Sequence, residues 1–142
     1  MSSWTELATS APALAETVRR TFAVRKHATM ATITRHGAPR ISGNEVQFGD
    51  DGHVYLAMMP GTRRADDLRR DPRLAIHSPT EDTPQDRPET WLGDGKITGR
   101  AVEIEPNRFR VDIDTVVLTR IRDGLEISTW RADTRRVTVA HR

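Results

Sequence analysis

The sequence predicts a mainly β (α+β) protein: a small antiparallel barrel with two helices on its rim. Three observations point there. Eight short, β-rich stretches are punctuated by Gly, Pro and Asp-Gly turn signals. Only two stretches carry helical apolar spacing. The length of 142 residues is that of a single domain, so 1–142 reads as one unit with a loose N-terminus over 1–9.

The first helix is expected over 10–25. Ser10 can cap it, Pro12 suits its first turn, and Glu16 lies early, where the helix dipole favours a carboxylate. Leu14, Val18 and Phe22 form one apolar stripe. Strands follow at 27–34, 41–48 and 53–59, joined by the Gly37-Ala38-Pro39 and Asp51-Gly52 turns, and read as a three-stranded meander. Pro60-Gly61 breaks the pattern and opens a short helix over 62–71, with Thr62 as N-cap and Asp71-Pro72 as its stop. A fourth strand spans 72–78. Residues 79–94, with three prolines and five acidic residues, form a loop anchored by Trp91. Strands at 95–105 and 110–121 come next, the second with its alternation broken near Thr115, a bulge signal. Strands at 125–130 and 135–140 close the chain.

Composition narrows the function. There is no cysteine, which excludes disulfides, thiolate metal sites and cysteine nucleophiles. Basic residues number 22 and acidic residues 20, a balance that argues against a nucleic-acid binder. Only Lys26 and Lys96 are lysines, so 20 of the 22 are Arg. That bias is either compositional or a sign of bidentate phosphate or carboxylate recognition. No apolar run approaches the roughly 20 residues of a membrane span, and the N-terminus lacks signal-peptide features. The expected setting is cytoplasmic, without membrane partners. The five histidines form no close ligand pair, so no metal site is expected. No G-x-S-x-G is present. The apolar fraction of 36% is thin for a chain this long, and a homodimer would ease the shortage.

The stretch that carries chemistry is VYLAMMPGTRRADDLRRDPRLAIHS, 54–78. A strand ends, the chain breaks, and Thr62-Arg63-Arg64 opens a helix whose exposed N–H groups attract anions. A hydroxyl and two guanidinium forks there make a phosphate clamp. The competing reading is a solvated basic face, with Asp66, Asp67 and Asp71 as ion-pair and helix-dipole residues.

This order of strand, small polar-basic triplet, short helix and Asp71-Pro72-Arg73 resembles the pyridoxamine 5'-phosphate oxidase-like family, the FMN-binding split barrels. ATMATIT, Gly37-Ala38-Pro39, Asp51-Gly52 and GKITGRAVEI extend the resemblance over about 12–140. It implies a split β-barrel and an oxidoreductase using FMN, or alternatively the deazaflavin coenzyme F-420, on a small-molecule substrate. The phosphate would be held by Thr62, Arg63 and Arg64. Leu56, Ala57, Met58 and Met59 would lie along the ring system. Arg40, Ser42 and Asn44 would border the cleft, and Trp130 would fall in a region that reaches the partner's site in a homodimer. The second-strand Arg of the pyridoxamine phosphate oxidising enzymes is replaced by Ser42, and their C-terminal Arg-Leu-His pattern has no match, which argues against that particular activity. No residue stands out as an acid or base. The alternative is a non-catalytic cofactor- or haem-binding module on the same scaffold.

Overall fold

A computed structural model describes residues 2–142. It contains three α-helices, α1 (Trp4–Ser10), α2 (Pro12–Ala23) and α3 (Arg63–Arg70), and nine strands. The strands are β1 (Ala28–Ile33), β2 (Pro39–Asn44), β3 (Gln47–Phe48), β4 (Val54–Ala57), β5 (Arg73–His77), β6 (Asp94–Glu105), β7 (Arg108–Ile121), β8 (Leu125–Arg131) and β9 (Arg136–His141). All pairings are antiparallel and run β2-β1-β5-β6-β7-β4-β3, with β8 also on β7 and β9 on β8.

Two features turn this sheet into a split barrel. The first is the length of β7. Its opening residues, Arg108–Val111, pair with β4, and Thr115–Ile121 pair with β8, while β6 runs along its other edge. The changeover falls at a bulge: Thr98 faces Thr115 and Gly99 faces Ile113, leaving Asp114 extra. The Asp114 carbonyl accepts from the Ala132 N–H at 2.9 Å. The broken alternation near Thr115 is the sequence mark of this bulge. The second feature is that the outermost strands of the path, β2 and β3, are consecutive in the chain and separated only by Glu45 and Val46. The strip must therefore curl until its ends meet.

That closure corrects the expected meander. The stretch 41–48 is not one strand; it breaks at Glu45-Val46, and its halves pair with β1 and β4. Local β-propensity favours continuous pairing, but closing the barrel requires the chain to leave one edge and join the other.

The N-terminus is also more ordered than its composition suggests. Ser3 caps α1 by accepting from the Glu6 N–H, and Trp4 and Leu7 are buried. Ser10 ends α1 instead of capping α2; Ala11 takes that place, with Pro12 in the first turn as anticipated. Trp4 packs edge-on against Phe48, with ring centroids 4.9 Å apart, and Phe22 meets the same ring at 5.8 Å. Aromatics far apart in sequence thus seat both helices on the barrel. The 79–94 connection contains a 3-10 turn at Pro88–Thr90, and the Trp91 indole donates to the Glu81 carbonyl at 3.0 Å. Among the described residues no helix is long and apolar enough to cross a membrane.

Gly99 tests the bulge. A Cβ there would lie 2.1 Å from the Asp112 carbonyl oxygen, which is backbone and cannot step aside. Gly99→Ala is expected to destabilise the fold by about 1–3 kcal/mol. The check is a fall in the chemical denaturation midpoint at unchanged m-value.

Candidate anion-binding site at the start of α3

Strand β4 ends at Ala57, and Gly61, at φ 78°, takes the left-handed conformation that a side chain would oppose. The chain then enters α3 with Thr62 as its extended N-cap. The Thr62 hydroxyl does not cap the helix, and its oxygen is buried without a hydrogen-bond partner among the described residues. A buried hydroxyl left unpaired is costly, so this atom marks a place where a ligand group is wanted.

Asn44 organises the surroundings. Buried at the end of β2, it donates from Nδ2 to the carbonyls of Glu45 (2.9 Å) and Ala57 (3.4 Å). Its Oδ1 accepts from Arg64 Nε at 2.9 Å. One amide thus joins the ends of β2 and β4 across the barrel seam and orients the Arg64 guanidinium by a single nitrogen. The Met58 N–H donates to the Asn107 carbonyl at 2.9 Å, and the Met58 side chain is buried. Met59, by contrast, is 74% exposed beside it.

The expected site residues therefore divide. Asn44, Ala57, Met58, Thr62 and Arg64 converge at the seam. Ser42 is half-buried on the inner side of β2, two residues from Asn44. Arg63 is exposed on the first turn of α3, with no ion pair or hydrogen bond to its side chain among the described residues. Arg40 is drawn away: its Nε donates to Asp67 at 2.7 Å. Trp130 stands apart from all of these. It is fully buried in the core and donates from Nε1 to Ser10 Oγ at 2.9 Å.

Asp67 is the residue whose importance the sequence conceals. It is 2% exposed and collects Thr32 Oγ1 (2.7 Å), Arg40 Nε (2.7 Å) and Arg70 Nη2 (3.1 Å). Burial pushes its pKa up, but the three donors outweigh burial, and the carboxyl lies below its ordinary 3.8. The i,i+3 spacing to Arg70 was legible; the contacts with Thr32 and Arg40, 35 and 27 residues away, were not. Among the described residues no group of three His, Asp or Glu side chains converges as a metal site.

No protein-family model matches the chain, and no curated protein matches it. Solved structures do. A pyridoxamine 5'-phosphate oxidase-related, FMN-binding protein from Nostoc punctiforme aligns with a TM-score of 0.67 at 12% identity, over 92% of this chain and 94% of that one. The chain has the split-barrel fold of the pyridoxamine 5'-phosphate oxidase-like proteins. A haem-binding protein from Mycobacterium smegmatis aligns with a TM-score of 0.59 at 18% identity, over 83% of this chain and 58% of that one. An F420 reductase aligns with a TM-score of 0.50 at 10% identity, over 68% and 94%. One scaffold thus serves FMN, haem and deazaflavin proteins, so within this fold the ligand must be argued from the site.

The carboxylates yield a pH expectation. Arg73 holds Asp71 down to about 2, and Arg69 holds Glu103 down to about 2, from 3.8 and 4.5; Asp67 is shifted the same way. Each folded value lies below the unfolded one, so their stabilisation is complete above the ordinary carboxylate range and is lost as pH falls toward about 2. The melting temperature should hold between neutral pH and about 5 and drop steadily below that. Asp67→Ala is expected to cost about 2–3 kcal/mol, less than a fully buried pair because Arg40 and Arg70 can reach water. Asp67→Ala should also flatten the acid limb of a melting-temperature profile.

Proposed function

We propose that this split barrel is an oxidoreductase that binds FMN, or the deazaflavin coenzyme F-420, by its phosphate at the start of α3. The observation that carries the reading is the buried, unpartnered Thr62 hydroxyl beside Arg64, whose Nε is fixed by Asn44. An anion satisfies that oxygen and meets both Arg63 and Arg64, so the residues present fit a phosphate.

In this reading the Thr62 hydroxyl donates to the phosphate, and the Arg63 and Arg64 guanidiniums neutralise it. Asn44 holds Arg64 in place and leaves its terminal nitrogens to donate. The strand end at Ala57, Met58 and Met59 borders the ring, and Ser42 lines the inner side of β2. When bound, a flavin or deazaflavin supplies hydride or electron transfer at its ring. The protein binds, orients and shields it from water; no side chain is assigned as acid or base. The substrate is a small molecule.

A homodimer belongs to the same reading. Directly paired residues share a sheet face, so Ile41, Ala31, Ala75, Thr98 and Thr115 form one row on the outside of β2, β1, β5, β6 and β7. The row is built of small side chains, with the Thr98 and Thr115 hydroxyls 2.6 Å apart, and Ile41 projects from it 75% exposed. A second copy covers this face. A mass twice the 16.0 kDa chain is expected by light scattering, and Ile41→Glu should shift the population to monomer. A wild-type monomer at micromolar concentration would remove the dimer from this reading.

Titration with FMN, coenzyme F-420 and haemin tests the ligand. Saturable flavin or deazaflavin binding, weakened in Arg63→Ala/Arg64→Ala by about 1.5–3 kcal/mol per charged hydrogen bond, is the expected result. That is tenfold or more for each bond. Unchanged affinity in the double variant would refute the phosphate site. Binding of haemin alone supports the second reading, a non-catalytic cofactor-binding module, which the haem-binding neighbour favours.

A further inference from the structure

A second basic feature adjoins Arg63. The β1–β2 turn and one face of α3 enclose a groove of about 480 Å³, within the range of small-molecule sites. Arg35, Arg40, Arg63 and Arg70 line it, with His36 on the turn. Their charges are poorly balanced. Arg40 and Arg70 share the single carboxylate of Asp67. Asp66 is on the rim and pairs with Arg69 at 3.1 Å, which Glu103 also holds. Arg35 donates from Nε only to Nε2 of the His36 ring at 3.3 Å, and neither Arg35 nor Arg63 has a carboxylate partner among the described residues. Elsewhere Arg69, Arg73, Arg108, Arg110, Arg120 and Arg131 each sit within 4.0 Å of an acid; other arginines without an acid among the described residues, such as Arg19, Arg100 and Arg136, do not line this groove. The groove therefore gathers an excess of cations in a chain whose formal net charge is only +2.

We infer that this groove binds a compact polyanion, a small molecule bearing clustered phosphate or carboxylate groups, at a site distinct from the cofactor phosphate. Several forks converging on one concavity suit clustered oxyanions better than a single charge, because each guanidinium can engage its own oxygen pair. Asp67 keeps Arg40 and Arg70 in position, so the cations are ordered before the anion arrives and less rotamer freedom is lost on binding. Arg63 is shared with the clamp, but Arg35, Arg40, Arg70 and His36 are not, so the inference does not rest on the flavin reading.

Calorimetric titration of the full chain with tripolyphosphate and with citrate tests it. Saturable 1:1 binding of at least one is expected, tighter for tripolyphosphate if phosphates are the natural groups and tighter for citrate if carboxylates are. Arg35→Glu should weaken that binding at least tenfold and Arg35→Lys much less. Arg35 is exposed on a turn, so both variants should melt with the wild type, and affinity for FMN should be unchanged. Anion binding that survives Arg35→Glu, or that FMN displaces competitively, would overturn the inference. So would a site that holds only long polynucleotides. Anion binding sensitive to Arg35 in a protein that takes no flavin would uphold the groove and discard the cofactor reading, so the two fail separately.

Discussion

The structure depends on a buried carboxylate. Asp67 lies under the first strands of the barrel and joins α3 to β1 through Thr32 and to β2 through Arg40. An isolated charge so deep would be expelled or neutralised. Here three donors hold it ionised, and in return it fixes the orientation of α3 against the sheet. The position of Thr62, the direction of Arg63 and Arg64, and the wall of the basic groove all follow from that orientation. The helix has eight residues and buries only two apolar side chains, Ala65 and Leu68. Packing alone would leave such an element loosely placed.

The second constraint is closure without a continuous ladder. β2 and β3 lie at opposite ends of the strand order and are joined by two residues. Backbone groups at the seam therefore need partners from side chains. Asn44 supplies them, giving two donors to carbonyls and one acceptor to Arg64. The candidate cofactor site sits where the barrel is split because the split frees polar groups and demands an organiser. In the proposed reading, structure and ligand binding draw on the same amide.

Arginine abundance divides accordingly. Several guanidiniums pair locally: Arg73 with Asp71, Arg131 with Asp133, Arg108 with Glu105, all on the surface. Each such pair contributes only modestly on its own, and its share is lost on acidification. Those at the start of α3 and along its groove differ because their geometry is imposed by buried partners or because they have no carboxylate partner among the described residues.

Most strands, helices α2 and α3, the α3 start at Thr62, the bulge near Thr115 and the anchoring role of Trp91 were legible in the sequence, because each rests on local chemistry: turn residues, helical apolar spacing, a break in alternation. The resemblance carried by Thr62-Arg63-Arg64 and Asp71-Pro72-Arg73 reached the split-barrel fold for the same reason. What the sequence left open depended on partners distant along the chain. Helix α1 needed a core to bury Trp4 and Leu7; the 41–48 stretch needed the barrel to break it; Trp130 needed Ser10 to settle in the interior; and Asp67 needed Thr32 and Arg40 to become a hub instead of a surface acid. Local propensity determined which elements form, and only the tertiary structure decided which polar groups are buried together, because burial energies act between residues that the chain brings into contact after folding.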